Sequence, residues 1–228
     1  MIETDNDKSQ AQREAFAKEY RKAKAQLPRV MRLSRMLNAP IEAESAACGD
    51  LACQRGCHHC CFLRVTGYLY EIIAIYMYLN QQLDKSRLEA VKHKIKKQYA
   101  VIRDKSEEEH YTTNVECPLL VDGECTAYAV RPMACAAYHS LSESECRWSY
   151  ENPHIRIHAI PLAPEIQEQE RSQRLVAATS LLAHKEPIDE EYELISTLHR
   201  LFQDPSQIQR WRAGRRLIER PDQRSDKQ

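Results

Sequence analysis

A chain of 228 residues with 33 basic and 33 acidic side chains has no net charge, so no global field draws it to nucleic acid or to an anionic membrane surface. No stretch approaches the roughly 18 apolar residues of a transmembrane helix. The acidic start Met1-Ile2-Glu3-Thr4-Asp5 lacks the pattern of a secretory signal, which makes a cytoplasmic location the expectation. With 43% hydrophobic residues and only 5 glycines, the chain is expected to be mainly α around a real core.

In chain order, residues 1–8 read as disordered. Residues 9–27 read as an amphipathic helix with Phe16, Tyr20, Ala23 and Leu27 on one stripe. Pro28 interrupts or restarts it, and 31–37 is a short continuation. Residues 38–56, rich in small and acidic side chains, read as a linker, and Gly56 before Cys57 allows a tight turn around a ligand. Thr66-Gly67 starts a helix that is apolar through 68–83. Ser86 and Glu89 form a capping box for a second helix to about Arg103, with Leu88, Val91, Ile95, Tyr99 and Ile102 inward and a solvated lysine face outward.

Residues 104–116 read as loop with a short strand at 111–115. Asp122-Gly123 reads as a turn. Thr126 caps one helical turn that Pro132 ends, and Ser142 with Glu145 opens a short helix carrying Cys146 in its first turn. The alternation over 154–159 suggests an edge strand. Helices are expected at 165–184, 188–202 and 206–219, with Pro187 and Pro205 at their starts. Their packing residues are Leu175, Ala178 and Leu182, then Ile188, Tyr192, Ile195 and Phe202, then Ile208, Trp211 and Leu217. This divides the chain into an N-terminal helical segment (1–47), a cysteine-cluster domain (48–150), a C-terminal helical extension on the same core (151–220) and a flexible tail (221–228).

The nine cysteines carry the chemistry: Cys48, Cys53, Cys57, Cys60, Cys61, Cys117, Cys125, Cys135 and Cys146. An odd number, the lack of an export signal and a chain long enough to fold without staples all argue against disulfides. Cys57-His-His-Cys60 is a chelating bite whose sulfurs can reach one ion. Adjacent side chains tend to point apart, so of Cys60 and Cys61 one faces a second metal, bridges two metals or packs inward. Cys117, Cys125 and Cys135 have no short bite and must be brought to the first cluster by the fold, or hold a second site. Cys48 and Cys146 are open as ligands, resolving thiols or core residues. His58, His59 and His139 are ligands by type, and His139 shares a face with Cys135 if a helix runs there. Arg131 offsets thiolate charge or is an exposed residue before a helix-ending proline.

These residues resemble the CxxCxxCC cysteine-cluster family of zinc- or iron-chelating domains. The resemblance rests on Cys53, Gly56-Cys57 and Cys60-Cys61, then Glu71, then Cys117-Pro118-Leu119-Leu120, Cys125, Tyr128, Arg131-Pro132 and Cys135 with Tyr138. It spans roughly 48–150. Ala136 departs from the Arg more usual there in the family. The resemblance implies a helical, metal-centred domain with minor irregular or short β elements, and leaves activity open. A related cysteine region occurs in flagellin lysine N-methylases, but no glycine-rich methyl-donor loop is present here.

The expected metal ligands are Cys53, Cys57, Cys60, Cys61, Cys117, Cys125 and Cys135. Zinc, iron and an iron–sulfur cluster all suit such thiolates. The Cys53-x3-Cys57-x2-Cys60 spacing matches radical-type clusters numerically, but no barrel accompanies it. Three functions follow: a structural or metal-handling site, a metalloenzyme, or a metal-stapled module whose C-terminal helices dock a protein through an exposed stripe at Phe202 or Trp211.

Overall fold

The computed structural model describes residues 5–54, 56–155, 159–183, 185 and 191–217. The chain runs through α1 (Asp5–Ala25), a 3-10 turn (Leu27–Arg29), α2 (Val30–Ala47), a second 3-10 turn (His59–Phe62), β1 (Thr66–Gly67), α3 (Leu69–Gln82), α4 (Lys85–Ile102) and α5 (Glu107–Tyr111). There follow β2 (Leu120–Val121), β3 (Glu124–Cys125), a third 3-10 turn (Tyr128–Val130), α6 (Met133–Ala136), α7 (Glu143–Glu151), α8 (Pro164–Ala183), β4 (Tyr192–Glu193), α9 (Leu194–Gln203) and α10 (Ser206–Arg212). The fold is predominantly helical, with two antiparallel two-stranded pairings, β1 with β4 and β2 with β3.

The core is built around α3, whose Ile72, Ile73, Ala74, Ile75 and Leu79 are fully buried. A helix that is apolar around most of its girth must be covered on several sides. Here α2 packs on one side and α9 on another, while α1 and α8 close over α2. The stripe Phe16, Tyr20 and Ala23 of α1 is buried, with Phe16 and Tyr20 both stacked edge-on to Tyr70.

Several expectations are corrected. The segment 38–56 is not all linker, because α2 continues to Ala47 with Pro40 inside it. Val30, Leu33, Leu37 and Ile41 form one buried face across that proline, and this packing offsets the missing N–H. Thr66-Gly67 pairs with Tyr192–Glu193 instead of starting a helix, so residues 191–193 are not helical either. Asp84, not Ser86, caps α4 by accepting from the Arg87 N–H at 2.9 Å. The strand expected at 111–115 is absent, since Ser106 and Glu109 make a reciprocal capping box that starts α5. The helical turn after Thr126 starts at Tyr128 with Ala127 at its N-cap, and the Thr126 hydroxyl donates to the Leu119 carbonyl instead of capping.

On α8 the buried set is Ile166, Gln173, Val176, Ala177, Ser180 and Leu181, while Leu175 and Leu182 are more than half exposed. The helix is rotated so that Val176, Ala177 and Leu181 face the core, with the Ser180 hydroxyl 3.1 Å from the Arg13 carbonyl of α1. The C-terminal helix ends at Arg212, with Gly214 at φ 70 just beyond. Trp211 is buried against Tyr20 and Phe202 packs on Tyr76, so neither offers the exposed stripe expected of a docking surface. The expectations for Pro187, Ile188, the 221–228 tail and residues 156–158 of the expected strand lie outside the described residues. No helix is long and apolar enough to cross a membrane among the described residues.

The contact that positions the cysteine region is the Glu71 carboxylate in the first turn of α3. One oxygen accepts from the Tyr68 N–H at 2.8 Å, capping α3, and the other accepts from the Met133 N–H at 2.8 Å, capping α6. Gly67 passes so close that an added Cβ would lie 3.1 Å from a Glu71 oxygen. Burial pushes the carboxyl up to about 7 from 4.5, against the pull of the two N–H donors. A raised acid binds its proton more tightly in the folded state. Its contribution is therefore full below pH 4.5 and is lost as pH rises through about 7. Urea titrations should show a loss of about 3 kcal/mol across that window in the wild type that is missing in Glu71→Gln. The comparison between the two cancels His110, which burial lowers to about 4 and which acts with the opposite sign. The variant should also start lower at acid pH, by about 1–3 kcal/mol, because its amide N–H₂ faces a backbone N–H.

Candidate metal centre

The first cysteine segment leaves α2 as an irregular loop. It is tethered by the Ala52 N–H to the Ser140 carbonyl at 2.9 Å and turned by Gly56 at φ 86. That glycine occupies the left-handed region its sequence position suggested. Cys60 and Cys61 sit in the 3-10 turn His59–Phe62. The second segment joins this turn directly, because the Cys117 N–H donates to the Cys61 carbonyl at 2.7 Å and the Val115 N–H to the Phe62 carbonyl at 3.3 Å. Beyond it the β2–β3 hairpin turns at Asp122 (φ 51) and Gly123 (φ 78), the two positive φ values such a turn requires. A Cβ on Gly123 would lie 3.9 Å from the Gly56 carbonyl and 4.0 Å from the His58 ring, so the hairpin tip rests on the first cysteine loop.

Cys135 is carried by α6, the single turn that Glu71 caps. The preceding Arg131-Pro132 step is fixed from α2: Asn38 donates to the Arg131 carbonyl at 2.7 Å, and Arg131 Nη1 pairs with Glu42 at 3.2 Å. The same nitrogen donates to the Tyr128 carbonyl at 3.0 Å, and the guanidinium lies 3.7 Å from the Tyr128 ring centre. Arg131 is therefore a buried structural cation, not an exposed residue before a proline.

All nine cysteines are free thiols; Cys146 is buried and the others are half-buried. Burial raises Cys117 to about 12, with the Cys125 thiol adding to the shift and Lys94 opposing it. Burial also pushes Cys135 well up, reinforced by Cys117, Cys60 and Cys125 and opposed by Arg131. Cys125 is raised by burial and by Cys60. Cys60 is pushed far up, first by its hydrogen bond with Cys61 and then by burial. On the other side, Cys53 is raised by burial and then by Cys57, Cys60 and Cys146. Thiols of both segments thus feel one another. Even so, among the described residues no three His, Cys, Asp or Glu side chains converge closely enough to hold an ion.

The histidines sit at the rim. His58 Nδ1 lies 2.8 Å from the Gly56 carbonyl and His59 Nε2 lies 3.4 Å from Glu143. His139 does not share a helical face with Cys135, because α6 stops at Ala136. It meets the Ser45 hydroxyl at 3.1 Å instead, and its buried Nδ1 has no hydrogen-bond partner among the described residues. Cys48 packs at the edge of the hydrophobic core.

Residues 52–152 match the profile of CxxCxxCC, described as a "putative zinc- or iron-chelating domain". No curated protein and no solved structure matches the chain. The donor set of the domain fits either metal. It is rich in soft thiols, free of disulfides and flanked by Arg131 and Lys94, two cations that offset part of the charge the thiolates would carry.

Sequence reasoning missed Ser140, whose N–H donates to the Cys53 sulfur at 3.3 Å, and missed Asn38, Glu42 and Lys94 as supports. No motif spacing points to them, since Asn38 and Glu42 reach the site from α2, Lys94 from α4 and Ser140 from the segment before α7. Replacing Arg131 by Ala should cost about 1–3 kcal/mol, because Glu42 and the Tyr128 carbonyl lose a buried charged partner. At roughly 2–4 °C per kcal/mol for a chain of this size, a thermal melt should record the loss.

Proposed function

We propose that the chain binds zinc or iron through Cys53, Cys57, Cys60, Cys117, Cys125 and Cys135, with Cys61 beside Cys60 as a seventh candidate, as a structural or metal-handling site. The observation that carries this reading is that the two cysteine segments, whose thiols are all free, are joined directly where the Cys117 N–H donates to the Cys61 carbonyl at 2.7 Å. Desolvated thiols that raise one another are held protonated by their surroundings, and a bound cation reverses that preference by stabilising the thiolates. Loading therefore releases protons, and the thiol side chains rotate toward the ion from positions the backbone already fixes. A zinc ion would staple the two segments, and an iron–sulfur cluster would add electron transfer.

The protein is to be purified without oxygen, and its visible spectrum, zinc, iron and acid-labile sulfide measured per chain. Near-stoichiometric metal is expected, with Cys135→Ser losing at least one ion. Stripping the metal with a chelator should lower the melting temperature by roughly 5–10 °C. A carefully prepared protein with neither metal, its cysteines instead paired as disulfides, would overturn the reading.

A further inference from the structure

Leu175, Ala178 and Leu182 form a stripe that the sequence marks for packing, yet in the single chain it faces outward. Leu175 is 55% exposed and Leu182 is 58% exposed. They lie on one face of α8, two turns and about 10 Å apart. Ala178 and Thr179 stand between them, both half-buried. The Thr179 hydroxyl donates to the Leu175 carbonyl at 2.7 Å, so the helix itself satisfies the one polar side-chain group of this stretch. The inner face of α8 is already used, with Val176, Ala177 and Leu181 buried where the helix packs on α1 and α2.

Charge is graded along the same helix. Its first turns carry the exposed Glu165 and Glu168, the second of them paired with Arg171 at 2.6 Å. Arg174 is engaged beside the stripe, by Glu170 at 2.8 Å and by Glu191. Beyond the last turn stands the exposed Lys185. The outer surface of α8 is therefore acidic at its head, apolar in its middle and basic at its foot.

A surface in that order is its own complement when a second copy is turned about a two-fold axis crossing the helix between Ala178 and Thr179. Leu175 of each copy then meets Leu182 of the other, and each acidic head lies toward Lys185 of the other. A parallel pairing would instead set Glu168 against Glu168 and Lys185 against Lys185. We propose that α8 is a self-association surface, through which two copies of this chain pair antiparallel across Leu175, Ala178, Thr179 and Leu182. The proposal is independent of the metal-binding reading above. One helix per copy makes a contact at the small end of specific interfaces, so the dimer forms and dissociates reversibly with concentration.

The test is sedimentation velocity on the full chain over a rising concentration series, with a phosphine reductant so that the free thiols cannot cross-link copies. The wild type should pass from monomer to dimer. Leu175→Lys and Leu182→Glu should each stay monomeric, with unchanged circular dichroism because both side chains are more than half exposed. Mixed in equal amounts, the two variants should recover the dimer: opposite charges meet at one contact between positions 175 and 182, and the other contact stays apolar. If a charged variant does not fold, Leu175→Ala and Leu182→Ala take its place, each weakening the dimer roughly tenfold. A wild type that is monomeric throughout, a dimer that survives both charged substitutions, or a mixture that stays monomeric would each overturn the proposal. A monomeric wild type whose Leu175 and Leu182 resist hydroxyl-radical oxidation would assign the stripe to another segment of the same chain, and overturns it likewise.

Discussion

The Glu71 carboxylate takes one hydrogen bond from each of two backbone N–H groups, Tyr68 at the head of α3 and Met133 at the head of α6. Helix N-termini carry unsatisfied donors and partial positive charge, so one acidic group can stabilise two of them at once. Here that geometry welds the most buried helix of the core to the single turn carrying Cys135. The cost is the desolvation of a carboxyl that stays 2% exposed, which is why its proton is held more tightly than usual. Gly67 follows from the same constraint, since a side chain there would press on the carboxylate.

Around this weld the cysteine region is assembled from short, individually weak pieces. A 3-10 turn, a hairpin of two-residue strands and a four-residue helix could not stand alone. They are held by contacts to larger elements: α2 through Asn38 and Glu42, α4 through Lys94, and α7 through its packing on the His59–Phe62 turn. The helices thus form a rigid frame, and the thiols hang on loops fixed to it.

Much of the frame is legible in the sequence. The apolar run 68–83 and the stripe Val91, Ile95, Tyr99 and Ile102 sit close to where periodicity puts them, because a buried helix face leaves a local pattern. Gly56 and Asp122-Gly123 adopt the positive φ values their residue types allow. Errors arise where local signals compete. The stretch 38–56 reads as a linker, but the buried residues on either side of Pro40 hold α2 together to Ala47. Leu175 and Leu182 read as core on α8, yet Val176, Ala177 and Leu181 face inward, with Ser180 against the neighbouring α1.

The sequence alone determined the chemistry available, nine cysteines in two clusters on a helical chain, and with it the similarity of residues 52–152 to the CxxCxxCC family. It also determined most helices, whose information is carried by residues three or four positions apart. The tertiary structure decided that the Ser140 N–H meets the Cys53 sulfur, that Arg131 is buried against Glu42 and Tyr128, and that Glu71 binds two helix ends. Each of these is a contact between segments far apart in the chain, and no spacing rule encodes the path by which distant segments meet.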